Sequence, residues 1–178
     1  MAQLPIRQGL PFPPSLAATR QAGELQPCCA VLAALVILLV MALVVGGLNP
    51  GRDDLAWFMR LRRPRWLVFE GWIPAIWLVI YGCFCVSAWL AWQSSSSGLL
   101  MVGYLVQLML VQSYTLLICR SRSLGNGTLI GFVGWMWGVA LTMAVVVQNP
   151  AAAALLAPYL IWSPVGTWVT WQMRQLNR

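Results

Sequence analysis

Long apolar runs broken by short polar or proline-containing stretches set the pattern of this chain. Apolar residues dominate 28–48, 71–92, 98–119, 127–147 and 151–171. At about 1.5 Å of rise per residue, each run as a helix crosses a hydrocarbon core of about 30 Å. The first run is too long for the core of a signal peptide, and no small-residue cleavage pattern follows it. The breaks read as stops: Asn49-Pro50-Gly51, Gln93 with Ser94–Ser97, Arg120–Asn126, and Asn149-Pro150. The pattern predicts an all-α fold, an integral membrane five-transmembrane-helix bundle.

The finer pattern assigns faces. In the first loop, Asp53 or Asp54 is expected to cap a short amphipathic helix over Leu55–Arg62, with Leu55, Phe58 and Leu61 at the membrane interface. Pro74 falls in the first turn of the second span, where a missing N–H matters least. Tyr104, Gln107, Gln112 and Tyr114 are polar groups within the third span and need partners there, a neighbouring helix being preferred to a ligand. Gly127, Gly131, Gly134 and Gly138 form one stripe on the fourth span, suited to close packing inside the bundle or, less favoured, to a dimer seam. Pro158 and Pro164 predict a kink in the fifth, with neighbours satisfying the freed carbonyls. Residues 1–27 read as a disordered, proline-rich tail, with a targeting segment as the alternative. The membrane domain is expected over 28–173 and a short tail over 174–178.

Composition narrows the function. Of the 178 residues, 60% are hydrophobic and only 8% charged, against about 25% charged in soluble domains, so the surrounding solvent is lipid. The net charge of +7 comes from arginine alone. The arginines cluster at segment ends, which argues for a membrane face and against nucleic acid. Nine of them, Arg52, Arg60, Arg62, Arg63, Arg65, Arg120, Arg122, Arg174 and Arg178, fall on the side of the first loop, third loop and C-terminus; Arg7 and Arg20 fall on the other. The positive-inside rule then places the C-terminus in the cytoplasm and the N-terminus outside. There is no histidine, which excludes a histidine base, a histidine-bound zinc and a histidine-ligated haem. Glu24, Asp53, Asp54 and Glu70 all lie outside the apolar runs, so no carboxylate proton relay crosses the bilayer. The five cysteines lack metal-ligand spacing and read as small packing residues.

Candidate chemistry concentrates between Trp57 and Trp92, where a cationic, tryptophan-punctuated loop runs into the second span. Trp77 and Tyr81 are four apart and share a helix face. Beside an arginine cluster, such a face suits a pocket for a flat, apolar anion; an aromatic belt with positive-inside anchoring is the competing explanation. Tyr159, Trp162 and Gly166 share a face of the fifth span at i, i+3 and i+7. Trp168 and Trp171, near its end, read as belt residues.

These residues resemble a family. Trp57-Phe58-x-x-Leu61-x-Arg63-Pro64-x-Trp66 is similar to the W-Y-x-x-L-x-K-P-x-W loop of the TspO/MBR (tryptophan-rich sensory protein/translocator protein) family. Trp77, Tyr81, Trp89 and Trp92 match its second-helix aromatics, Pro158-Tyr159-x-x-Trp162 its P-Y-x-x-W motif, and Leu176-Asn177 its usual ending. The match covers roughly 49–92 and 150–177. Departures are also plain. Leu67-Val68 stands where the family has Pro-Pro, and the third-helix Asn and W-S-P-x-F-F block are missing, with Tyr114 near the position of that Trp. A neutral residue around Gly131 replaces the fourth-helix Asp. Gly166 replaces a small Ala, and Val169-Thr170 replaces Leu-Asn.

The resemblance implies a five-helix bundle, often a homodimer, with a pocket beneath the first loop that takes a porphyrin or other tetrapyrrole. It implies a ligand site of Trp57, Phe58, Arg63, Pro64, Trp66, Trp77, Tyr81, Tyr159, Trp162 and Gly166, with the loop aromatics as lid and the arginines drawing in propionates. No arginine follows Tyr159 before Arg174, so a sterol motif of the L/V-x-Y-x-K/R type is not expected. The reading is of a receptor or carrier in contact with the lipid bilayer, with a sensing or transport role and no obligatory cofactor. A scaffold that keeps the bundle without a ligand is the alternative. Porphyrin photodegradation with tryptophans as electron donors is a third reading, and a binding protein is preferred to an enzyme.

Overall fold

A computed structural model describes residues 16–177, with side chains from residue 30 onward. Helix α1 runs Leu16–Gly47 and its membrane-length apolar part is Ala30–Gly47. The tail expected over 1–27 lies outside the described residues up to residue 15; from Leu16 the backbone is helical, so the helix starts well before the apolar run. Two compact units divide at Leu32–Ala33. The first contributes the opening of α1 and the second everything described below. α2 is Arg52–Met59, α3 Ile73–Ser95, α4 Gly98–Ser121, α5 Leu124–Val146, α6 Pro150–Ala154 and α7 Ala157–Leu176. Five segments have the length and apolarity of membrane spans, α6 and α7 together making the fifth. No strand occurs among the described residues. The fold is a five-helix membrane bundle.

Local chemistry explains the element ends. Gly51, not an aspartate, is the N-cap of α2, and Asp53 and Asp54 sit in its first turn, where they complement the helix dipole. α2 begins three residues earlier than expected. Its Phe58, with Trp57 and the following Leu61, turns inward onto Ile118, Leu124 and Met173 instead of lying on the interface. Ser97 caps α4, its hydroxyl oxygen accepting from the Leu100 N–H. Asn149 caps α6, accepting from the Ala152 N–H at 3.0 Å, with Pro150 at the first helical position. The fifth span breaks at Leu155–Leu156, and Pro158 falls into the first turn of α7, where it costs no helix bond. Pro164 alone stands inside that helix.

α5 packs most extensively, against α4 on one side and α7 on the other, whereas α3 meets α4 and α7 over much shorter stretches. Glycine makes the α5 contacts close. A Cβ at Gly127 would clash with Ile118, and one at Gly138 would fall 2.7 Å from Tyr159 Cε1. The stripe is therefore occupied inside the bundle. Near the α3–α4 turn, Phe84, Ala88, Tyr104, Leu141 and Val145 form a core with Ala152 and Leu156, joined by Met41 of α1. There Ser87 Oγ donates to the Ala152 carbonyl at 2.7 Å and meets the Tyr104 hydroxyl at 2.6 Å. At the arginine-rich end, Asn177 holds the first loop, accepting from the Arg62 N–H at 3.0 Å and donating to its carbonyl at 2.9 Å. The Arg174 guanidinium lies beside Gly125, so the first loop, the α4–α5 turn and the end of α7 gather together. The opposite end is tied by Asn149 Nδ2 donating to Ser94 Oγ at 2.8 Å.

Candidate ligand site between α3, α4, α5 and α7

An internal cavity of about 40 Å³ opens among four helices. Trp77 contributes from α3, Tyr114 from α4 and Gly131 from α5; Tyr159, Trp162 and Gly166 contribute from α7. The i, i+3, i+7 spacing on α7 brings those three onto the cavity wall, and Trp77 approaches from the facing helix. Two kinds of glycine shape the space. At Gly131 a Cβ would fall 2.5 Å from Thr167 Oγ1 and 3.2 Å from Tyr114 Cε2, so side chains crowd that position. At Gly166 nothing lies within 4 Å, and the absent side chain leaves open volume.

The polar groups around the cavity are mostly tied to one another. The Tyr114 hydroxyl donates to the Gly166 carbonyl at 3.4 Å and hydrogen-bonds the Thr170 hydroxyl, joining α4 to α7. Ser163 Oγ donates to the Tyr159 hydroxyl at 3.5 Å, and Thr167 Oγ1 donates to the Ser163 carbonyl at 2.9 Å. Behind Tyr159, Gln107 is 1% exposed. Its amide lies against the phenol but outside good hydrogen-bond geometry, leaving both polar atoms without a formed partner. Of the third-span polar groups, Tyr104 and Tyr114 have helix partners and Gln107 has none formed.

The expected site residues fall into three places. Trp77, Tyr159, Trp162 and Gly166 line the cavity, and Tyr81 stands behind Trp77 with ring centroids 5.6 Å apart. Trp57 and Phe58 pack onto the core of the arginine-rich end and do not line the cavity. Arg63, Pro64 and Trp66 line a separate surface groove. Arg63 is ion-paired with Glu70 and also donates to Met59 Sδ at 3.2 Å. Pro64 is buried, and Trp66 donates its indole N–H to Gln172 Oε1 at 2.6 Å.

Phe69 connects the loop to the cavity wall and was not among the expected residues. Its ring meets Trp162 edge-on at 6.1 Å and Trp66 at 6.2 Å. The signal for it was a further aromatic in the same cationic loop, just before Glu70. Ser163, Thr167 and Gly131 also escaped the site assignment, because small residues on apolar helices carry no pocket signature until their neighbours are known.

A comparison with curated proteins found no significant match. The family model described as TspO/MBR family matches residues 32–176. With five apolar helices of spanning length and a family match over nearly all of the described chain, this protein belongs to the TspO/MBR family of sensory and transport-type membrane proteins.

Proposed function

We propose that the chain is a membrane receptor or carrier for a tetrapyrrole, or a similarly flat apolar anion, held between Trp77 and Trp162. The observation that carries this reading is that these two indoles, from helices far apart in the sequence, line one cavity. Indole faces suit a planar macrocycle, offset stacking adding about 0.5–1.5 kcal/mol per ring pair beyond area burial. Arg60, Arg62 and Arg65 of the first loop are exposed and line no part of the cavity. They act at a distance, as a positive field that draws a carboxylate ligand to that end of the bundle.

Size decides how a ligand enters. A cavity of about 40 Å³ holds a water or two, far below the roughly 300–1,000 Å³ of ligand pockets. A macrocycle therefore needs the helices to part. The α3–α7 seam is the place, because α3 is the wall with the shortest packed contact while α5 is locked on both sides by its glycines. Phe69, edge-on to Trp162, covers that seam, and its ring has to turn aside for a ligand to reach the cavity.

The scaffold reading rests on the same small volume: a bundle that never opens has no room for a ligand. Titrating the purified chain with protoporphyrin IX while following tryptophan emission separates the two. Saturable quenching that disappears when Gly166 is replaced by Leu supports the receptor. Quenching that is absent, or unchanged by that substitution, transfers the conclusion to the scaffold.

A further inference from the structure

An open groove lies on the outer face of the α5–α7 pair. Phe132 and Trp135 of α5 and Pro164, Trp168 and Trp171 of α7 line an open apolar groove of about 380 Å³. Trp168 and Trp171 stack with centroids 4.9 Å apart and form one wall. Along α7, Pro164, Trp168, Trp171 and Gln175 recur at i, i+4, i+7 and i+11, one continuous stripe. Its rise is about 16 Å, close to one leaflet of a hydrocarbon core about 30 Å thick.

Trp171 also lines the next groove along the same helix, about 690 Å³ in volume, where Arg62, Arg63 and Arg65 of the first loop face Gln172 and Gln175. Arg63 is already paired with Glu70, while Arg62 and Arg65 are exposed, and no acidic side chain among the described residues lines either groove. The loop is held in place there by Asn177 on the Arg62 backbone and by Gln172 on the Trp66 indole. The arginine wall is thus fixed through backbone and indole contacts, leaving the Arg62 and Arg65 guanidiniums available to a ligand.

We propose that the two grooves together bind one anionic phospholipid. An acyl chain lies along the Pro164–Trp168–Trp171 stripe and the phosphate reaches Arg62 and Arg65, with the Gln172 and Gln175 amides facing the glycerol region. Apolar length matching one leaflet, with uncompensated positive charge at one end only, is the complement of such a lipid. A second copy of the chain fits this face poorly. Two copies inserted in the same orientation bring their arginine ends to the same depth, so an isologous seam here sets like charges side by side.

The test is native mass spectrometry of the full chain from detergent with added phosphatidylglycerol or phosphatidylcholine. Wild type is expected to retain phosphatidylglycerol preferentially. Arg62→Gln with Arg65→Gln should lower that retention by at least about fivefold and leave phosphatidylcholine unchanged, because each arginine near a bilayer surface contributes about that factor. The Asn177 bonds go to the Arg62 backbone, so folding survives this change. Trp168→Ala should weaken retention of both lipids. Arg120→Gln with Arg122→Gln, at the same end but outside the grooves, should have no effect. The proposal fails if the Arg62/Arg65 variant retains phosphatidylglycerol as wild type does, or if the Arg120/Arg122 variant loses as much. It also fails if Trp168→Ala splits a dimer without changing lipid retention, which would make the face a seam between copies.

Discussion

Trp135 on α5 donates its indole N–H at 3.2 Å to the carbonyl of Leu160, the group four residues before Pro164 that the proline leaves without its helical N–H donor. An in-helix proline is tolerated in a membrane when a neighbour takes up the freed carbonyl, and here one residue on the adjacent helix does so. Trp135→Phe should destabilise the bundle by about 1 kcal/mol, the scale of interhelical hydrogen bonds in membranes. In a Pro164→Ala background, where the restored backbone N–H can donate to the Leu160 carbonyl, the same change should cost clearly less. Thermal unfolding in detergent of the two single variants and the double variant checks this; equal costs in both backgrounds would show that the carbonyl is satisfied some other way.

Gly138 is a position where α5 and α7 leave no room for a side chain. The Tyr159 ring and Leu160 Cδ2 lie 2.7 and 3.2 Å from a Cβ built there, and Tyr159 is buried. Gly138→Ala should lower stability by about 1–3 kcal/mol, the cost of overpacking a closed core. Gly82→Ala on α3, where nothing lies within 4 Å, should be neutral or slightly stabilising, since alanine favours the helix. Similar melting shifts for the two variants would mean that helix propensity, not packing, sets the response.

Much of this was legible in the sequence because membrane helices announce themselves by length and apolarity. Five spans, the glycine stripe inside the bundle and the need to rescue carbonyls freed by Pro164 all follow from residue types at known spacings. The cavity lining was legible only on α7 and α3, where Tyr159, Trp162, Gly166 and Trp77 carry recognisable side chains or a recognisable spacing. What escaped depends on tertiary placement. The turn of Phe58 and Leu61 onto Ile118 and Met173, the diversion of Arg63 to Glu70, and the position of Phe69 against Trp162 are all choices between partners that the linear pattern offers equally. The break at Leu155–Leu156 belongs to the same class: two prolines mark the span as interrupted, but only the folded chain shows Pro158 in the first turn of α7 and Pro164 inside it.

The arginine distribution makes a testable prediction of orientation. The first loop, the α4–α5 turn and the end of α7 meet at one end of the bundle, and nine of the eleven arginines belong to these segments and the C-terminal residue. From the positive-inside rule we predict that this end faces the cytoplasm. A reporter fused after Arg178 should be active only as a cytoplasmic fusion; signal from the outer face would reverse the topology and, with it, the leaflet against which Arg62 and Arg65 stand.

Filling the cavity is the sharpest test of the ligand site, because Gly166 offers space that no other cavity glycine does. A Cβ at Gly166 meets nothing within 4 Å, whereas one at Gly131 or Gly134 would press on Thr167, Tyr114 or Tyr159. Gly166→Ala should therefore fold as wild type, and its backbone carbonyl, which accepts from Tyr114 and Thr170, is untouched. Gly166→Leu should still fold while occupying the volume between Trp77 and Trp162, abolishing porphyrin-dependent quenching. Trp77→Phe and Trp162→Phe keep an apolar ring but lose indole area, so each should weaken porphyrin affinity several-fold, in line with about 0.5–1.5 kcal/mol for one aromatic pair. Trp72→Phe provides the control, since Trp72 is 71% exposed and outside the cavity. Circular dichroism and oligomer size must stay constant across the set for the comparison to hold. If Trp72→Phe weakens binding as much as Trp162→Phe, or Gly166→Leu binds as wild type does, the ligand sits on the surface and the cavity is only a packing defect among four helices.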